Sequence, residues 1–305
     1  MKHIFVINPC AGCHDSGDEV AAAVDGLELD AELYETKAPR DATRFVAERC
    51  AAEPAEQLRF YACGGDGTLN EVVSGAIGHD NAEVACYPCG SGNDFVKYFA
   101  GSDFTDLQSQ LGASPVEVDV MQLGDRYCVN TLNFGFEAEV CRHMAGARRV
   151  PLMGGRMAYT KGIVQSLATG RHNPCRISVD GSPWVEGDML LASVSNAKWA
   201  GGGYMIAPNA AVDDGELDVM CMRPVSLPRF ARLIKYYERG EHLRRPEFTD
   251  VMSYCRGRKV VIESASRFYI ATDGEVIAGD RFEVACLHRA LRFVVPPSKK
   301  PTPMQ

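Results

Sequence analysis

Residues 58–75 read LRFYACGGDGTLNEVVSG, and no other stretch constrains the chain as tightly. Residues 58–63, apolar but for Arg59, read as a buried strand. Gly64, Gly65, Asp66 and Gly67 make a turn, and a helix is expected to open at Thr68. A buried strand, a glycine turn and a helix start together form a phosphate cradle, because the first helical turn leaves N–H groups unpaired and partly positive. Glycine also lets a phosphate approach without a Cβ in the way. Asp66 adds a carboxylate suited to holding Mg2+ against phosphates, and Thr68 and Asn70 add short polar contacts. A plain βα turn is the competing reading, but an acid between glycines is an odd choice for one.

The surrounding sequence repeats this alternation. Strands are expected at 3–7, 31–35 and 83–87. Helices are expected up to about residue 24, over 41–50, from 93 or 94 to 99, and over 105–111. Strands alternating with helices predict a parallel sheet covered on both faces. Ligands of such sheets sit outside the carboxyl ends of the strands. The glycine-rich turns at 8–17, 64–67 and 90–92 all follow strands, so all three are expected to open on one edge. PCGSGNDF (88–95) is thus a second phosphate-binding candidate: Gly90 and Gly92 permit close approach, Ser91 offers a hydroxyl, and Asn93 and Asp94 start a helix.

From residue 116 the pattern changes. A hairpin is expected from 116–123 and 127–134, then helices over 137–149 and 156–168. Strands dominate afterwards, at 175–180, 184–195, 217–222, 258–264, 267–272, 281–287 and 291–295, with one helix over 227–239. Asp180-Gly181 and Asp273-Gly274 are hairpin turn signals. Strands in series indicate a β-rich second domain of sandwich type. For 305 residues two domains are the natural expectation. The division falls near Val120: an α/β nucleotide domain over 1–120, with 291–305 a candidate completion of it, and a β-sandwich substrate domain over 121–290.

Composition narrows the function. A net charge of −8 argues against a general nucleic-acid binder. No run of 18 apolar residues is present, so no membrane span is expected. MKHIFVINP turns polar too soon for an export signal and reads as a first strand. A reducing, cytoplasmic setting is therefore expected for the twelve cysteines. The last ten residues, PPSKKPTPMQ, have the composition of a disordered tail.

Four further features carry chemistry. Asp273-Gly274-Glu275 supplies carboxylates for a general base, although a hairpin turn explains its first two residues. AVDDGELD (211–218) is an oxygen-rich loop suited to Mg2+ or Ca2+, or a solvated acidic turn. Cys10-Ala11-Gly12-Cys13-His14 has the c-type haem pattern, but that attachment belongs to exported chains. With Cys86 and Cys89 the first pair would formally give a four-cysteine zinc site. Alternatively, these thiols and Cys63 lie near helix starts, with lowered pKa and sensitivity to thiol reagents. Lys235 to Arg239, with Arg229, Arg232, Arg244 and Arg245, is the most basic region, either a face for anionic headgroups or a solvated helix surface.

Taken in order, the Asn8-Pro9 turn, GGDGTLNEVVSG (64–75), PCGSGNDF (88–95), DDGELD (213–218) and DGE (273–275) resemble the diacylglycerol kinase catalytic-domain family. That family includes bacterial diacylglycerol kinases, related lipid kinases and sphingosine kinases. The likeness runs from Ile7 to about Glu275. GGDGT alone is shared with NAD kinases and, loosely, phosphofructokinases; the second glycine turn and the late DGE narrow it. The resemblance implies an α/β nucleotide domain and a β-sandwich domain, with ATP and lipid meeting in the cleft. It implies that Asn8 and Thr36 contact nucleotide, that Gly64, Gly65, Asp66, Gly67, Thr68, Leu69 and Asn70 hold phosphates, and that Ser91 sits in the second glycine turn. Asp214, with backbone oxygens of Ala211 and Glu216, resembles the family's structural Mg2+ site. Glu275 matches the proton acceptor, Asp273 competes for that role, and Asp119 matches an acidic position beside the cleft.

The chain departs from the family pattern in three respects. Ser91 stands where many bacterial members carry Thr, the two Cys-x-x-Cys pairs are additional, and no cysteine-rich lipid-binding module is present. The implied function is an ATP- and Mg2+-dependent kinase of diacylglycerol or a related lipid, with transient contact at a membrane surface and a homodimer kept as a candidate assembly. Two other readings stay open: an NAD kinase-like enzyme on a soluble substrate, and a nucleotide- or lipid-binding regulatory protein without turnover.

Overall fold

The computed structural model describes residues 1–12, 16–27, 29–136, 138–141, 172–273 and 275–298. The helices expected over 137–149 and 156–168 and the expected tail lie largely outside the described residues. The chain divides into two compact units, Met1–Asp119 with Arg289–Gln305, and Val120–His288.

The first unit is built on β1 (Lys2–Ile7), β2 (Ala31–Glu35), β3 (Leu58–Gly64) and β4 (Ala82–Pro88), with α1 (Ser16–Asp25), α2 (Asp41–Ala52), α3 (Asp66–Ala76) and α4 (Leu107–Gly112) between and after them. β1 pairs in parallel with both β2 and β3, and β3 pairs in parallel with β4. The next neighbour is the end of β14 (Glu275–Val294), where Phe293 pairs in parallel with Val84. The strand order is therefore β2-β1-β3-β4-β14. Every residue of β3 is buried, Arg59 included, as a sheet covered on both faces requires. Alternation then divides the side chains: Phe5, Ile7, Tyr61, Cys63, Ala85 and Tyr87 pack with Val20 and Val24 of α1 and Leu107 of α4. Helices α2 and α3 pack together so closely that a Cβ on Gly75 would lie 2.5 Å from the Thr43 carbonyl oxygen.

An ionic cluster fixes the amino ends of the strands. Arg59 and Glu83 sit side by side on β3 and β4, both buried, with Arg59 Nη2 2.7 Å from Glu83 Oε2. Arg59 also donates to the carbonyls of Gln110 at 2.7 Å and Ala113 at 3.0 Å, and the other Glu83 oxygen pairs with Arg292 of β14. The guanidinium of Arg59 thus finds the partners that a buried charge requires. Phe293 packs against Phe95 at 5.1 Å and Phe99 at 5.5 Å between ring centroids, which anchors the segment after β4 on the last strand.

The second unit is antiparallel. It holds the ends of β5 (Pro115–Leu123) and β14, together with β6 (Arg126–Cys128), β7 (Thr131–Gly135), β8 (Asn173–Val179), β9 (Ser182–Met189), β10 (Leu191–Ser195), β11 (Leu217–Met222), α5 (Leu227–Glu238), β12 (Met252–Gly257) and β13 (Lys259–Thr272). β13 is long enough to serve two neighbours. Val260–Glu263 pairs with β8, and Ile270–Thr272 pairs with β7, the register shifting between Glu263 and Phe268. Such an irregularity lets one strand pass between the layers of a sandwich. Leu132, Phe134, Ile177, Val194, Val219, Val260, Ile262 and Ile270 form the core between those layers. A second core, with Phe136, Leu191, Met220 and Phe248, lies under Phe230, Leu233 and Tyr237 of α5.

Five sequence expectations are corrected. The hairpin arm expected over 127–134 divides into β6 and β7. The helix over 93–99 is one 3-10 turn, Val96–Tyr98, because Asn93 takes a left-handed φ of 52° and Phe95 and Phe99 turn into the aromatic cluster. The strand over 184–195 breaks at Leu190 into β9 and β10. The strands at 258–264 and 267–272 are one, as are those at 281–287 and 291–295. β12 is an additional strand, half-buried along its length, with no apolar run to announce it.

Candidate functional site

The site is built at the carboxyl end of the first unit's sheet. Strand order places β2 on one side of β1 and β3 on the other, so the chain reverses its winding between β1 and β3; crevices of this kind receive ligands in open α/β sheets. Asn8 follows β1, and its backbone N–H donates to the Cys63 carbonyl at 3.0 Å. Its side-chain Nδ2 crosses to Thr68 Oγ1 at 3.0 Å. Thr36, after β2, is held at the same edge by its N–H bond to the Ile7 carbonyl at 2.8 Å. Helix α3 starts at Asp66, two residues earlier than expected, so the N–H groups of the glycine turn itself belong to the unpaired first helical turn.

The second glycine turn lies directly on the first. A Cβ on Gly90 would stand 2.4 Å from Gly65 Cα, and one on Gly92 would stand 2.6 Å from Asp66 Oδ2. Gly12 reaches the same place, where an added Cβ would meet the Cys89 carbonyl at 2.5 Å. The carbonyl of Gly64 accepts from the N–H groups of both Cys89 and Gly90. Asp66 Oδ1 accepts from the N–H of Asp94 at 2.5 Å. The turns after β1, β3 and β4 thus meet around the first turn of α3, as the three-turn pattern predicts.

Burial pushes the Asp66 carboxyl above the usual carboxylate range, and the charge of Asp94 adds to this, while amide hydrogen bonds from Asp94 and Phe95 oppose it. Asp94 in turn pairs with Lys97. Two buried oxygens, Asn70 Oδ1 and Asn93 Oδ1, have no hydrogen-bond partner among the described residues. Orphaned polar atoms of this kind call for a ligand or water. Close glycine contacts and the helix start fit the phosphates of a nucleotide, and the two acceptor oxygens would take a donor beside them, a hydroxyl, an amine or a water. Ser91 is exposed at the tip of the second turn, and Leu69 is buried, so Leu69 supports the helix through packing.

The remaining predicted residues have different surroundings. Asp119 is 0% exposed, and its Oδ1 accepts the backbone N–H of Arg289 at 2.7 Å. Arg289 has a left-handed φ of 52°, so this carboxylate pins a bend in β14. In the second unit, Asp273 opens the turn between β13 and β14. Its Oδ2 accepts from Val129 N–H at 2.9 Å and Asn130 N–H at 3.3 Å, and its Oδ1 from Thr131 N–H at 3.2 Å. Glu275, two residues on, pairs through Oε2 with Arg126 and is half-exposed. Gly274 lies outside the described residues.

The acidic loop holds a cation of its own. Arg256 on β12 pairs with Asp214, with Glu216 at 3.1 Å and with Asp218 at 3.4 Å. Asp214 Oδ1 also accepts the N–H of Glu216 at 3.1 Å. Carboxylates are the donors a hard divalent ion takes, but here a guanidinium already answers them. The residues as arranged therefore do not fit the Mg2+ site that the resemblance implies. Among the described residues no cluster of three or more His, Cys, Asp or Glu side chains could hold a metal.

The cysteines are corrected as well. Burial raises the thiols of Cys63 and Cys86 far above their ordinary range and pushes Cys89 up to about 11. Cys63 and Cys86 are buried and Cys89 half-buried, so desolvation opposes the ionisation that a helix start favours. Cys10 is exposed; Cys13 and His14 lie outside the described residues.

Residues 2–123 match the diacylglycerol kinase catalytic domain, and residues 130–295 match the YegS C-terminal NAD kinase beta sandwich-like domain. A diacylglycerol kinase of Bacillus subtilis (strain 168) is 26% identical, over 98% of this chain and 98% of the relative. A protein named "Probable lipid kinase YegS-like" of Chromohalobacter salexigens is 30% identical, over 81% of this chain and 80% of the relative. The crystal structure of a diacylglycerol kinase from Bacillus anthracis str. Sterne superposes with a TM-score of 0.69 at 20% identity, covering 98% of both chains. Yeast NADH kinase complexed with NADH superposes with a TM-score of 0.53 at 10% identity, covering 97% of this chain and 84% of that one. At these identities the two structures show the fold alone. The family models and the named relatives support a phosphotransferase of the kinase class. The chain belongs to the diacylglycerol kinase catalytic-domain family.

Proposed function

We propose that this chain is an ATP-dependent lipid kinase, whose acceptor is the free hydroxyl of diacylglycerol or a related lipid. The observation that carries the reading is the meeting of three glycine turns around the start of α3. ATP with Mg2+ would supply the transferable phosphoryl group and neutralise its charge. The amides of Gly64, Gly65, Gly67 and Thr68 would bind the phosphates, with Asn8, Thr36, Asn70 and Ser91 orienting the nucleotide. Asp66 would hold the second glycine turn against the first.

Glu275 is our choice for the general base. Three backbone N–H groups bond the Asp273 carboxylate, which commits its oxygens to the Val129–Thr131 turn, whereas Glu275 is half-exposed. Asp273 is then a positioning residue for the Val129–Thr131 turn, and Asp119 one for the bend at Arg289. Divalent metal would enter with the nucleotide, since Arg256 answers the acidic loop. Family membership and the names of the relatives support the acceptor class, and a membrane contact follows from it.

The test is incubation with γ-labelled ATP and a total lipid extract, with NAD in a parallel tube. Label in a lipid product supports the reading. Label in NAD alone would place the chain with the NAD kinases, and nucleotide binding with no labelled product at all would make it a binding protein.

A further inference from the structure

We propose that the outer face of α5 is an electrostatic docking surface for an anionic phospholipid bilayer. The helix, LPRFARLIKYYE, is amphipathic: Phe230, Leu233 and Tyr237 recur at i, i+3 and i+7 and are buried. The same spacing on the opposite side sets Arg232, Lys235 and Arg239 in one exposed row. Flanking arginines are neutralised, Arg229 by Asp250 and Arg245 by Glu241. Arg232, Arg239 and the exposed Arg244 make no ion pair among the described residues, and Lys235 lies 4.8 Å from the Tyr236 ring centre rather than beside an acid. Residues 223–250 carry seven cations against four carboxylates in a chain whose net charge is −8. An acidic protein that leaves a row of cations uncompensated on one helix presents a surface complementary to anions.

The apolar edge of this face selects a bilayer rather than a free anion. Leu227 is 46% exposed at the start of the helix, and Pro228 and Ala231 are exposed beside it. Cations along an interfacial helix with a small apolar margin suit headgroups above acyl chains. The Lys235 and Arg245 cations over Tyr236 bring an aromatic ring to the same level. This inference rests on the lipid kinase reading, whose acceptor resides in such a bilayer, and it names the part of the surface that meets it.

The experiment is co-sedimentation of the full chain, without nucleotide, with vesicles of phosphatidylcholine alone or mixed with phosphatidylglycerol. Binding is expected to the mixed vesicles only and to fall as salt is raised. The combined variant Arg232→Glu, Lys235→Glu, Arg239→Glu is expected to weaken it on the order of a hundredfold, from the contribution of each basic residue near an anionic surface, with thermal unfolding unchanged. Its transfer of phosphate to a short-chain acceptor dispersed without a bilayer should equal that of the parent. A second variant, Arg232→Gln with Arg239→Gln, should fall between the two. Undiminished vesicle binding by the triple variant overturns the proposal, and so does parent protein that binds nucleic acid but no vesicle. Salt-sensitive vesicle binding lost in the variants, from a protein that phosphorylates no lipid, would support the surface while removing the kinase reading.

Discussion

The Asp66 carboxylate accepts the backbone N–H of Asp94 at 2.5 Å, so an acid from the first glycine turn closes the second. Asp66 therefore has two consequences on replacement, loss of the tie and loss of the charge. Asp66→Ala removes both and is expected to lower turnover by about a hundredfold or more, the scale of a lost electrostatic group. Asp66→Asn keeps an acceptor oxygen and should keep the turns together. Turnover of purified Asp66→Ala within a few-fold of the parent would remove this residue from the mechanism.

Glu275 and Asp273 should separate in their effects. Glu275→Gln is expected to reduce kcat by about a hundredfold or more with little change in unfolding temperature, as for a lost general base. Asp273→Asn leaves backbone N–H groups of the Val129–Thr131 turn less well bonded, so its main effect should be on stability, about 1–3 kcal/mol. Chemical denaturation alongside steady-state kinetics checks the pair. The opposite pattern would exchange their roles.

Stability of the first unit should depend on Glu83. It neutralises Arg59 in the sheet and holds Arg292 of the last strand. Glu83→Ala leaves the Arg59 charge buried without a counter-ion, and breaking a buried pair in this way costs about 3–5 kcal/mol. Urea titration measures the loss. A value under about 1 kcal/mol would mean that the carbonyls of Gln110 and Ala113 satisfy Arg59 unaided.

His242 gives a pH dependence with a defined sign. It is buried between the rings of Tyr237 and Phe248, and desolvation lowers its pKa to about 4 despite backbone carbonyls nearby. The unfolded chain takes up this proton near pH 6.5 and the folded chain only near 4. The stability it gives at neutral pH is therefore lost as pH falls from about 6.5 to 4, by about 3 kcal/mol in all. His242→Asn should flatten that part of the stability profile; an identical slope in parent and variant would contradict the assignment.

Much of the cradle was legible because it is local. The largely apolar strand β3, the glycines after it and the anion-favouring helix start lie within 58–75, and periodicity reads such segments well. What failed depended on distant partners. The docking of Phe293 beside Val84 joins residues far apart in sequence. The helix after the second glycine turn gave way to packing of Phe95 and Phe99 on that same strand. The acidic loop looked ready for a metal because nothing in 211–218 announces Arg256 on another strand. The surroundings of Asp273 and Glu275, amides around one and a guanidinium beside the other, come from residues far away in sequence.

The central claim is that phosphates are held where the glycine turns touch. Gly90 is the position to change, since a Cβ there would stand 2.4 Å from Gly65 Cα, and even modest overpacking costs about 1–3 kcal/mol. Calorimetric titration of ATP with Mg2+ into the parent and Gly90→Ala, with unfolding temperatures recorded for both, measures it directly. The account predicts saturable binding to the parent and at least a tenfold weaker affinity in a folded variant. Equal affinity in the two proteins, or no binding by the parent, would contradict it.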